Sequence, residues 1–166
     1  GRLLYALGRA LKIQGRWQEA VTIYEQAISV ATGLDETIEK VKLWKQIATC
    51  YCEGFIQGDY DSQSLQRAIH YCRQALGGLA SIAAPSATTL WLEGSIWNTL
   101  GATYRYLEEW ELAVDCYQRD LAICEQLGDQ HGIGISYLNL GEVYHHRSQA
   151  DWPQALTYYN NALRLL

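Results

Sequence analysis

The 166-residue chain is predicted to fold as an all-α solenoid of four helix pairs, eight helices in all. Three observations carry this prediction. First, one column pattern recurs four times: a small residue in mid-helix, an aromatic residue or Leu three later, then, past a turn, Ala, usually an aromatic residue four on, and usually Ala three beyond. The passes are Leu4, Leu7, Gly8, Leu11, Ala20, Tyr24, Ala27; then Trp44, Ile47, Ala48, Tyr51, Ala68, Cys72, Ala75; then Trp97, Leu100, Gly101, Tyr104, Ala113, Tyr117, Asp120; and last Tyr137, Leu140, Gly141, Tyr144, Ala155, Tyr159, Ala162. Second, apolar residues recur at three- and four-residue spacing almost throughout, the mark of one buried helix face. Third, only two prolines interrupt the chain, Pro85 and Pro153. A helix pair of this length cannot bury its apolar stripe alone, so consecutive pairs must stack.

The elements follow in order. The first helix runs from Arg2 to Gln14 and stops at Gly15, a favoured residue just past a helix end. The second runs from Trp17 to Thr32, and Gly33 to Asp35 form a turn with Asp35 as N-cap. The third covers Glu36 to Glu53, a loop covers Gly54 to Asp61, and the fourth helix covers Ser62 to Leu79. Gly77 to Ser86, with a Gly-Gly pair and Pro85, reads as a loop, and Ser86 caps the helix carrying Trp91 and Trp97. The sixth helix runs from Trp110 to Leu127, with Gly128 and Asp129 as stop and cap. The seventh runs from Gln130 to Arg147. The last begins at Asp151-Trp152-Pro153, a cap with proline in the first turn, and continues to Leu166.

The columns have a packing reason. Gly8, Ala48, Gly101 and Gly141 let helices cross closely, and Ala20, Ala68, Ala113 and Ala155 provide the matching gap on the second helices. Tyr and Trp fill the remaining space and keep one polar atom each that needs a partner. Asp120 stands where the other repeats hold Ala, which sets the third repeat apart.

On these columns the chain resembles the tetratricopeptide repeat family, whose pattern places Trp, Leu, Gly, Tyr, Ala, an aromatic residue, Ala and Pro over about 34 residues. The resemblance spans nearly the whole chain and implies a right-handed solenoid of four tetratricopeptide repeats, approximately 1–34, 37–79, 86–127 and 130–166, in a single domain over 1–166. The proline column is missing. Gly8 to Ala48 and Gly101 to Gly141 are both 40 residues apart, which resembles the long variant found in kinesin light chains and bacterial multi-repeat proteins. Ala48 to Gly101 is 53, so repeat two carries insertions. The chain lacks Met and opens inside a helical pattern, which reads as a piece of a longer protein.

The resemblance also implies a concave groove lined by first helices that takes a peptide or protein segment. Its positions here are Arg2, Tyr5 and Arg9; Lys42, Lys45, Gln46 and Thr49; Ser95, Asn98, Thr99, Ala102 and Arg105; and Leu138, Asn139, Glu142 and His145. Chaperone-binding members clamp a carboxylate with Lys, Asn, Asn, Lys and Arg at such positions. Tyr5, Arg9, Gln46, Ser95 and Thr99 stand there instead, which argues against that clamp. Arg2, Arg9, Lys12, Lys42 and Lys45 form a basic half that would steer an acidic peptide, with an ordinary solvated face as the alternative. Asn139 occupies the position at which long-variant relatives hold a ligand's backbone.

Other chemistries find little support. The net charge of -5 disfavours nucleic acid, which needs a basic face. No apolar run approaches the about 18 residues of a membrane span, and no signal segment opens the chain. The five cysteines, an odd number on helices, read as free buried thiols of a reducing, cytoplasmic setting. His145 and His146 are adjacent on a helix and point about 100° apart, so they are not expected to chelate together. Glu142 to His145 supplies a Glu-x-x-His pair only once. Gly132-Ile133-Gly134 follows no strand, and neither a phosphate loop nor a nucleophile elbow occurs. The expectation is therefore a scaffold or sensor module without cofactor, metal or enzymatic activity. Self-association through the array ends is the alternative, since Leu163, Leu165 and Leu166 leave the last helix without a polar outer face.

Overall fold

The computed structural model describes residues 1–31 and 36–166; the turn predicted at Gly33 to Asp35, with its Asp35 cap, lies outside the described residues. The helices are α1 (Arg2–Ile13), α2 (Trp17–Ser29), α3 (Glu36–Ile56), α4 (Gln63–Ala80), α5 (Ala87–Tyr106), α6 (Trp110–Leu127), α7 (Gln130–Arg147) and α8 (Trp152–Leu163), with a 3-10 turn at Gln149–Asp151. Among the described residues there is no strand. The chain divides into two compact units, Gly1–Ala84 with α1 to α4 and Pro85–Leu166 with α5 to α8.

Within each unit helices pack on their neighbours in sequence, and α5 also touches α7. The helix ends are set by local chemistry. Gly15 and Gly128 close α1 and α6 at φ of 72° and 68°, where a side chain would be strained. Ser86 caps α5 in a reciprocal box with Thr89, and the Asp129 carboxylate accepts from the Gly132 amide at the start of α7.

The repeated columns meet where their chemistry predicts. Each mid-helix glycine lies against the tyrosine ring of its partner helix: Gly8 on Tyr24, Gly101 on Tyr117, Gly141 on Tyr159. A Cβ at Gly101 would stand 2.9 Å from the Tyr117 ring, and one at Gly141 2.7 Å from that of Tyr159. Tyr24 and Tyr117 are fully buried. Repeat two exchanges this pair for Ala48 and Cys72, both fully buried, so a larger residue on one helix accompanies a smaller one on the other.

Several boundaries differ from expectation, those around Gly78 and Gly54 for a tertiary reason. The Gly77-Gly78 pair lies inside α4 rather than in a loop. Gly78 has no Cβ because one would stand 2.7 Å from Val41 of α3, so the glycine serves helix approach. The predicted loop from Gly54 shortens, since α3 continues to Ile56 and Gly54 accommodates the Tyr60 ring. The turn that follows folds back on α2: Trp17 Nε1 donates to Asp59 at 2.8 Å and the Tyr60 hydroxyl to Gln18 at 3.3 Å. α2 ends at Ser29 and α8 at Leu163, each three residues early. Asp151 makes no side-chain cap; its carboxylate accepts two bonds from Arg147, at 2.8 and 3.0 Å. Ser148 caps the 3-10 turn instead.

Candidate ligand-binding faces

The first face lies in unit 1 on α1 and α3. Tyr5 and Lys12 are seven residues apart, two helical turns, and so share one side of α1. Gln46 of α3 reaches both: Lys12 Nζ donates to its Oε1 at 3.1 Å, and its Nε2 donates to the Tyr5 hydroxyl at 3.2 Å. Lys45, the neighbouring residue, is half-buried. Burial above all, then the charge of Lys12, holds its ammonium below the usual lysine range. Among the described residues no carboxylate pairs with Lys45; Glu53 acts on it only at a distance. Lys42 differs: it is more exposed and already paired with Glu39 at 2.8 Å. Arg2 and Arg9 are exposed, and Thr49 returns its hydroxyl to the Lys45 carbonyl.

The second face lies in unit 2 on α5 and α7. Asn98 and Arg105 share a side of α5, as Asn139 and Glu142 do of α7. Arg105 crosses to Glu142 at 3.0 Å and lies over the Tyr106 ring at 4.7 Å. Burial opposes its charge, but Tyr117, Glu142 and Tyr106 outweigh that and hold Arg105 above its usual value. Asn98 donates through Nδ2 to Asp120 Oδ2 at 3.0 Å. Asp120 is buried, and Ser136 of α7 reaches the same oxygen at 3.0 Å while Cys124 approaches the other at 3.7 Å. Asn139 is half-buried on this face, Leu138 and His145 are exposed, and Thr99 bonds back to the Ser95 carbonyl.

The structure thus gathers Tyr5, Lys45 and Gln46 in one unit and Asn98, Arg105 and Glu142 in the other. It adds Asp120, on the second helix α6, whose sequence signal was an Asp in an Ala column, and Ser136, on α7 but outside the groove positions. It adds an open cleft of about 490 Å³ in unit 1, lined by Glu25, Tyr51, Gln66, Arg67, His70 and Tyr71 among others. There Tyr51 stacks on Tyr71 at 6.1 Å and Arg67 lies over Tyr51 at 5.7 Å.

The reactive groups are quiet. Burial pushes the Cys50 and Cys116 thiols up to about 12 and that of Cys124 up to about 11, which keeps them protonated at neutral pH. The five cysteines are buried and none is in a disulfide. Among the described residues no three His, Cys, Asp or Glu side chains are placed to hold a metal ion. The His145 and His146 ring centroids are 5.2 Å apart, and the His145 ring also lies 5.8 Å from that of Trp152. Glu142, the nearest carboxylate along the helix, faces Arg105 instead. Among the described residues no helix is long and apolar enough to cross a membrane.

Two tetratricopeptide repeat family models match the chain, one over residues 3–37 and one over residues 92–166, together more than half of its length. The chain belongs to the tetratricopeptide repeat family. Residues 38–91, between the two matches, hold the Ala48 and Cys72 exchange and the folded-back turn, the places where this member departs from the repeat. Among solved structures, BtubC (BKLC) from P. vanneervenii superposes with a TM-score of 0.78 at 21% identity over 98% of this chain. The apo form of RapI superposes with a TM-score of 0.75 at 17% identity, also over 98%. These likenesses are of fold, an all-α repeat solenoid. The chain spans 61% of the first structure and 41% of the second. No curated protein matches it.

Proposed function

We propose that this tetratricopeptide repeat chain is a non-catalytic protein–protein interaction module that takes a peptide or protein segment on its first-helix faces, with an acidic segment on the face of α1 and α3. Lys45 carries this reading. A lysine held partly out of water without a carboxylate partner is costly, and it stands beside Lys12, whose own partner is the neutral Gln46. An acidic side chain arriving there would supply the missing counter-charge. Five cysteines outside any disulfide fit a reducing compartment such as the cytoplasm.

Fluorescence anisotropy with a labelled Glu-rich peptide and a neutral control tests the reading. The native chain is expected to prefer the acidic peptide, with a preference that fades as salt rises. Lys12→Met with Lys45→Met should weaken binding about tenfold or more, the scale of one lost charge-assisted contact. Lys42→Gln should change it less than about twofold, since an exposed paired lysine contributes little. Equal affinity for both peptides, or indifference to the Lys12 and Lys45 changes, would overturn the acidic reading.

Exposed leucines on α8 and beyond favour a second reading. Leu156, Leu163 and Leu166 are 61%, 80% and 58% exposed, an apolar surface that a second copy would cover. Light scattering should then show mass rising with concentration, and Leu156→Glu with Leu163→Glu should abolish the rise. A constant monomer mass would eliminate this reading.

A further inference from the structure

We propose that Asp120 is a positioning residue for the face of α5 and α7: by accepting an N–H of Asn98 it turns the Asn98 carbonyl oxygen outward as a fixed acceptor for a ligand N–H. This deepens, and rests on, the reading of that face as a binding surface.

An asparagine amide is nearly symmetric in shape, so a surface Asn presents its oxygen or its NH₂ about equally well. An ionised carboxylate can only accept. Asp120 Oδ2 at 3.0 Å from the Asn98 amide therefore requires the NH₂ inward. The carbonyl oxygen is left on the other side, where no donor among the described residues reaches it and where it is not buried.

The surroundings hold this arrangement in place from three helices. On α5, Gly94 makes room: a Cβ there would stand 3.0 Å from Asp120 Oδ1. On α7, the Ser136 hydroxyl lies 3.0 Å from Asp120 Oδ2 and equally 3.0 Å from the Gly132 carbonyl, anchoring the carboxylate. On α6, the Cys124 thiol approaches Oδ1 at 3.7 Å. The Ala that stands in this column in other repeats has no group to orient Asn98. Repeat three thus gains a directional contact: the ligand group opposite Asn98 must be a donor, such as a backbone or side-chain amide N–H.

The test uses the whole chain and two readouts. In the ¹⁵N,¹³C-labelled native chain, NMR is expected to show a through-hydrogen-bond coupling between Asn98 Nδ2 and the Asp120 carboxyl carbon. One Asn98 amide hydrogen should exchange slowly, and Asp120→Ala should abolish that protection. Absence of the coupling in the native chain overturns the proposal whether or not the variant folds.

The second readout is affinity for a peptide selected on the native chain from a random display library. Asn98→Ala should weaken it about tenfold, Asp120→Ala, which leaves the amide free to present either edge, about twofold, and the double variant no further than Asn98→Ala alone, since both act on one oriented contact. Gln126→Ala, at an exposed position of α6 away from this cluster, should leave affinity unchanged. Independent, additive losses would reduce Asp120 to a structural role and overturn the proposal. Failure to select any peptide would count against the binding reading itself, while the NMR coupling would still decide the orientation.

Discussion

Gly101→Ala is expected to destabilise the chain by about 1–3 kcal/mol, the usual cost of forcing a methyl group into a packed site. The new Cβ would stand 2.9 to 3.0 Å from three atoms of the Tyr117 ring. Tyr117 is fully buried, so its ring has no solvent side to retreat to. Tyr117→Cys alone should cost more, about 3–5 kcal/mol, as truncation of a buried aromatic side chain does. The double variant should cost clearly less than the two together, because the alanine methyl occupies part of the space the ring leaves. Repeat two already carries that combination as Ala48 and Cys72. Urea unfolding of the two single variants and the double variant measures the coupling; strictly additive losses would show that the two columns are not a compensating pair.

Asp120→Asn is expected to gain on the native chain as pH rises. Burial lifts the Asp120 carboxyl above its ordinary value, and the hydrogen bonds from Asn98, Ser136 and Cys124 pull it back only in part; the charge of Asp129 adds to the lift. A carboxyl whose value is higher folded than unfolded binds its proton more tightly in the folded state. Its favourable contribution is therefore present at low pH and is lost as pH rises from about 4, the unfolded value, through the folded one. Asparagine has no proton to lose and can still accept from Asn98. The stability difference between Asp120→Asn and native should thus widen in favour of the variant over that interval and then level off. Asp120→Ala behaves otherwise: Ser136 keeps the Gly132 carbonyl, but the part-buried Asn98 donor loses its acceptor, at a cost of about 1–3 kcal/mol even at low pH. Urea midpoints across pH test this; a difference that does not vary with pH would contradict the assigned shift.

Much of the fold is readable because its causes are local or periodic. Gly15, Gly128, Ser86 and Asp129 end or begin helices through their own backbone or side-chain chemistry. The Gly and Tyr columns meet because both repeat in step. What escapes the sequence is caused by a residue on another element. Gly78 reads as a loop residue until Val41 is seen beside it. The insertion after α3 reads as loose until Trp17 and Gln18 are seen to hold it. Asp120 reads as a packing fault until Gly94, Asn98 and Ser136 supply its space and donors. The binding faces are legible only in part for the same reason. Spacing names Lys42 and Lys45 together, but only their neighbours distinguish the lysine paired with Glu39 from the one without a carboxylate.

The most direct measurement of the first-helix faces as binding surfaces is an NMR titration of the labelled chain with a peptide selected on it from a random display library. The expected result is that chemical-shift changes gather on α1, α3, α5 or α7, at residues such as Lys45, Gln46, Asn98 and Asn139. Changes gathered instead on α2, α4, α6 or α8, for example around Arg67, His70 and Tyr71, would contradict the assignment of function to those faces.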